Sequence, residues 1–102
     1  MPPPRYRIHA ASAVNEQLLD VFVRATARGQ RAEAIAAAAK IEEGLTWLAD
    51  ELGESRFPLK VLGEMRVVVI GPVGAVFAVD RAKLEVHVGR FRLLGVRREN
   101  RS

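Results

Sequence analysis

Met65-Arg66-Val67-Val68-Val69-Ile70, Ala75-Val76-Phe77-Ala78-Val79 and Leu84-Glu85-Val86-His87-Val88-Gly89-Arg90-Phe91-Arg92-Leu93-Leu94 are three β-branched, apolar runs close together in the chain. Gly71-Pro72-Val73-Gly74 separates the first two and Asp80-Arg81-Ala82-Lys83 the last two. Connections of four residues are too short for a parallel crossover, so the runs predict an antiparallel meander. Upstream, Phe57 to Leu62 reads as an extended lead-in or a short extra strand, with Pro58 arguing against a central position.

Working back from the meander, two helices precede it. Leu18, Leu19, Phe22 and Val23 recur at helical spacing, with Ser12 or Asn15 as candidate caps and Glu16 in the first turn. Gly29 marks a break, and a second helix is expected from about Arg31 to Leu52, closed by Gly53. Its stripe is Ile41, Leu45, Leu48 and Leu52, with a narrow alanine waist at Ala34 and Ala36 to Ala39. Separated only by Gly29-Gln30, the helices are expected to fold back as a hairpin. Ahead of them, Tyr6, Ile8 and Ala10 alternate with Arg5, Arg7 and His9, a half-buried strand.

The order β-α-α-β-β-β predicts an α+β fold: a twisted antiparallel sheet of about four strands with the N-terminal helical hairpin on one face. The expected core is Ile8, Leu19, Phe22, Ile41, Leu45, Leu48, Val67, Val69, Val76, Val86 and Val88. The first strand is expected to join the meander. At 102 residues the chain is read as one domain spanning 1–102, with frayed tails at 1–4 and 96–102.

Composition excludes several classes. There is no cysteine, so neither a disulfide framework nor a thiolate metal site can form. Two histidines, His9 and His87, are too few for a histidine-only metal site, and no ligand spacing suggests a mixed one. No metal and no cofactor is therefore expected. No apolar run approaches a membrane span and no signal-like start is present, which makes no membrane partner and a cytoplasmic location the expectations. The net charge of +4 is uneven: residues 1–54 balance slightly acidic and residues 55–102 strongly basic. Such a basic sheet half suits a polyanion or an acidic protein partner, although many small basic proteins bind nothing anionic specifically.

Arg90 and Arg92 are the strongest candidates for chemistry. Leu84, Val86 and Val88 read as buried, yet share parity with Arg90 and Arg92. The buried set must therefore switch parity near Gly89, which a bulge would accomplish. Two solvated arginines on a strand end is the plainer account. Arg66 and Lys60 come next, with Arg66 expected to emerge beside Arg92 on the sheet face away from the helices. Guanidinium groups grip phosphate through two donors and stabilise charge developing on phosphorus. His87 is a candidate general base, and His9 a weaker one. Tyr6 and Trp47 read as core or rim residues, Trp47 with an interface as its alternative. Glu42, Glu43, Asp50, Glu51 and Glu54 fit a solvated helix face.

These runs and their order resemble the RelE/ParE superfamily of small bacterial toxins. The likeness rests on Met65 to Ile70, Ala75 to Asp80, Leu84 to Arg92 with its Gly-basic ending, and the opening strand Tyr6-Arg7-Ile8. It implies a toxin of a type II toxin-antitoxin system, acting on RNA or the translation machinery, with a cognate antitoxin as partner and a homodimer as one candidate assembly. Carried over, Arg66, Arg92 and His87 become candidate catalytic residues, and Lys60, Arg66, Arg90 and Arg92 candidate nucleic-acid contacts. Two departures leave the catalytic set incomplete. The arginine that opens the third strand in the RNA-cleaving branch falls at Gly74 or Ala75 here, and nothing aromatic follows Phe91. The gyrase-inhibiting branch and a non-catalytic interaction module of the same fold are the alternatives, and a generic nucleic-acid binder is a third.

Overall fold

The meander forms as its spacing predicts. In the computed structural model, which describes residues 4–59 and 63–94, the chain runs β1 (Arg7–Ala10), α1 (Ser12–Ala27), α2 (Arg31–Trp47), β2 (Glu54–Leu59), β3 (Gly63–Ile70), β4 (Val73–Asp80) and β5 (Glu85–Leu93). The class is α+β, as expected, but the described sheet has five strands rather than about four, in the order β1-β5-β4-β3-β2. β2 supplies the extra strand, and it takes an edge, the position in a sheet where a proline such as Pro58 is tolerated. The sheet is mixed. β1 pairs parallel to β5; the helical hairpin leads into β2, which runs antiparallel to β1, and the three reversals of the meander bring β5 back to β1's direction.

Gly71 and Pro72 alone connect β3 to β4, so the turn is tighter than its four small residues suggested. Gly71 sits at φ +54, the left-handed region a two-residue hairpin needs. Gly29, at φ +74, ends the first helix and reverses the chain into α2. The expected side-chain caps do not form: Ala11 is the N-cap of α1, and Ser12 lies inside its first turn.

Both helices pack on one sheet face. Phe77, Val73, Val79 and Val86 from the sheet and Ile41 and Leu45 from α2 are fully buried there. Each such side chain contributes roughly 1.5–3 kcal/mol relative to exposure. Ala25, Ala34, Ala37 and Ala49 are also buried, but of the alanine waist only Ala34 and Ala37 are; Ala36 and Ala39 are exposed. Tyr6 joins this core, and burial pushes its phenol pKa up.

Several expected core residues lie elsewhere. Leu48 is half exposed because α2 stops at Trp47, short of the expected Leu52, and Leu48 leaves the helical stripe at φ −133. Leu19 is 63% exposed on the outer side of α1. Val69 is 56% exposed, and Val68 takes the buried place instead, so β3 has the opposite parity to the expected one. Val67 and Val76 consequently face away from the helices and are only half-buried. Trp47 is exposed as well, with the Arg5 guanidinium 6.0 Å from its ring centre. The expected tails, Pro4 apart, lie outside the described residues.

Candidate functional site on the uncovered sheet face

Register decides which side chains share the open face. Directly paired residues project to the same side of a sheet, and alternate residues along a strand do likewise. Val79 and Val86 pair and are buried under the helices, so Asp80 and Glu85, one position along, face the other way. On that uncovered face His87 pairs with Ala78 on one side and His9 on the other, and Arg7 pairs with Glu85.

The expected parity switch occurs at Gly89. Phe77 pairs with Val88 but Val76 pairs with Arg90, so Gly89 is the extra residue of a β-bulge. Beyond it, Phe91 and Leu93 turn to pack on the core, and Arg90 and Arg92 are exposed. The bulge thus extends the open-face column as Glu85, His87, Arg90 and Arg92. Gln17 of α1 accepts the Phe91 amide at 3.0 Å where β1 has ended, tying the helix to this strand edge. A cleft of about 290 Å³ lies there, lined by Gln17, Asp20, Arg24, Arg90 and Arg92 among others. Asp20 is paired with Arg24 at 2.9 Å. Among the described residues no carboxylate lies within 4.0 Å of Arg90 or Arg92.

Arg66 does not emerge beside Arg92. It pairs with Phe77 and shares the helix-covered face, only 8% exposed, whereas Arg92 pairs with Gly74 opposite the exposed Val69. Burial is possible because its guanidinium donors are satisfied: Nε donates to Leu52 O at 2.8 Å, one amino group to Gly53 O at 3.0 Å and the other to Glu64 at 3.1 Å. Arg66 therefore ties the segment after α2 to β3. Arg81 also donates to Glu64 and approaches Asp50 at 3.6 Å. The Glu64 carboxyl is held below its ordinary pKa, first by a hydrogen bond from Ser55 and then by Arg66 and Arg81. Lys60 lies outside the described residues.

One grouping was not foreseen. Arg7, His9, Glu85 and His87 meet across the β1–β5 seam. Arg7 binds Glu85 Oε2 at 2.9 Å, His9 Nε2 lies 3.5 Å from the same oxygen, and His87 Nε2 lies 3.4 Å from Oε1. The two imidazoles stack with centroids 5.0 Å apart and planes 17° from parallel. Nearly parallel rings aim their nitrogen lone pairs side by side rather than at one point, a poor arrangement for a shared metal. Among the described residues no group of three His, Asp or Glu side chains is placed to hold one. A sequence signal did exist: Arg-x-His at 7–9 and Glu-x-His at 85–87 match in spacing, with opposite charges in register.

The opposite side of the molecule offers an apolar groove of about 590 Å³ between α1 and α2. Leu18, Phe22, Ile35, Ala38, Ala39 and Glu42 are among its lining residues, with Ile8, Ala10 and Val88 of the sheet. Among the described residues no helix is long and apolar enough to cross a membrane. The chain matches no protein-family model, no curated protein and no solved structure.

Proposed function

We propose that this chain is a RelE/ParE-like toxin that acts on RNA, free or in the translation machinery, through its uncovered sheet face, and that a cognate antitoxin restrains it. The observation that carries the reading is the column of His87, Arg90 and Arg92 on one open face, with both arginines clear of carboxylates among the described residues. Guanidinium groups so placed can grip backbone phosphates through paired donors, and an imidazole beside them can carry a proton. Arg66 drops out of that role because its donors are engaged. The groove between the helices, together with exposed Leu19 and Val23, suits the apolar face of an antitoxin helix.

Expression of the chain without its genetic neighbour arrests growth under this reading, with loss of protein synthesis preceding loss of DNA synthesis. The Arg90→Ala/Arg92→Ala double variant restores growth. The reverse order of losses would point to the gyrase-inhibiting branch. Purified protein binds single-stranded RNA with an affinity that falls steeply between about 50 and 200 mM salt.

A second reading, a non-catalytic interaction module of the same fold, is favoured by one observation: Arg66, expected to help cut RNA, serves as a brace inside the fold. Normal growth on verified strong expression, with no RNA affinity at low salt, selects it.

A further inference from the structure

The Arg7–His9–Glu85–His87 cluster is more than a solvated patch, because three cation-capable groups converge on one carboxylate that is itself only 18% exposed. We propose that this cluster is a proton-gated phosphate subsite for single-stranded RNA, continuing the Arg90–Arg92 column toward β1. The proposal rests on the RNA reading above and adds its regulation by protons.

The argument is one of charge. With both imidazoles neutral, Arg7 and Glu85 cancel, and the cluster offers a polyanion nothing. With both protonated, each imidazolium faces its own oxygen of Glu85, and the cluster carries two net positive charges. Both rings keep an open side, with His9 and His87 side chains 47% and 39% exposed. A phosphodiester laid on the face therefore favours the protonated pair, and by linkage protonation favours the phosphodiester. Imidazole is the side chain that changes charge across this pH range.

Among the described residues, β4 and β5 supply the other groups that face the cluster. β4 presents Ala78 to His87 and Asp80 to Glu85, and the Asp80 carboxylate accepts the Lys83 amide at 3.1 Å. Arg90 follows along β5 and stays charged throughout. The chain has only two histidines, and both lie in this cluster.

The probe is an oligouridylate of about a dozen nucleotides, whose bases do not titrate in the window used. Affinity of the full chain is measured by fluorescence anisotropy at about pH 8 and about pH 5.5, across a salt series. The expected result is binding at least about tenfold tighter at the acid pH. The log–log salt slope also steepens by about 1.4, since each phosphate neutralised on a single strand contributes about 0.7. His9→Gln/His87→Gln flattens both differences. Arg90→Ala/Arg92→Ala weakens binding at both pH values but keeps the difference between them. Glu85→Gln tightens binding at about pH 8 several-fold by removing the opposing charge. Thermal unfolding of each variant confirms that it is folded.

Affinity that is present but flat with pH, or a pH effect that survives in the double-histidine variant, overturns the subsite and leaves RNA binding standing. Absence of binding at every pH and at low salt removes the RNA reading itself, and the subsite with it.

Discussion

Arg66 shows how far a residue's role depends on its surroundings. A charged side chain in an apolar strand is expected at a solvated or functional face, yet here it lies under the helices with its donors met by Leu52, Gly53 and Glu64. Removing it leaves two carbonyls and a carboxylate without that partner. Arg66→Ala should lower stability by about 3–5 kcal/mol in urea unfolding. Arg90→Ala, on the exposed end of β5, should change stability by less than about 0.5 kcal/mol. Equal effects of the two would contradict the placement. Glu64 gives a pH signature. Its folded pKa lies below the ordinary value of about 4.5, so its contribution is present above that pH and is lost as acidity carries the folded carboxyl through its own titration. Glu64→Gln should therefore flatten the fall in melting temperature between about pH 5 and pH 3. An unchanged acid profile would count against the Ser55 and Arg66 bonds as its cause.

Elements show the balance between local pattern and packing. The switch in buried parity along β5 was readable because Leu84, Val86, Val88 and then Phe91, Leu93 cannot all face one side of a regular strand. Gly89 resolves the conflict with one added residue. Deleting Gly89 should remove the bulge and leave a regular strand, with Val88 still opposite Phe77, Arg90 still opposite Val76 and both arginines still on the open face. The expected change in stability is below about 1 kcal/mol by denaturant titration. A loss above about 3 kcal/mol would mean that the deletion had shifted the register and turned the arginines toward the helices. Helix α2 was less legible: Ile41, Leu45, Leu48 and Leu52 read as one stripe, but the chain leaves the helix after Trp47. Gly53 is needed further on rather than as a helix cap. At φ +69, a Cβ there would sit 2.1 Å from Val67 O, so only glycine allows the close approach to β3.

For the molecule as a whole, the parallel β1–β5 pairing closes the design. It joins residues 78 positions apart, sets His9 against His87, and leaves β1 as an edge strand fastened by Tyr6 N to Thr46 O and Arg7 N to Leu84 O. Ile8 and Ala10 pack on the core from that strand, and Tyr6 from the position just ahead of it. A chain beginning at Ala11 should lose more than about 3 kcal/mol of stability, measured by urea unfolding. It should also lose any acid enhancement of RNA binding. Full stability after truncation would mean that the meander and hairpin are self-sufficient. The two faces differ in character: an apolar groove between the helices on one side, and a charged column on the other.

The amino-acid sequence alone determined the local features: the meander, the helix–helix reversal at Gly29, the exclusion of Pro58 from a central strand and the break at Gly89. Each follows from periodicity or backbone preference within a few residues. It could not determine which face of β3 is buried, because Val67-Val68-Val69 is apolar at both parities and Arg66 biases the reading the wrong way. Nor could it bring Arg7 and His9 to Glu85 and His87. Only the tertiary structure decided these points, because they depend on where the helical hairpin returns the chain and on which carbonyls and carboxylates are waiting there to satisfy a buried charge.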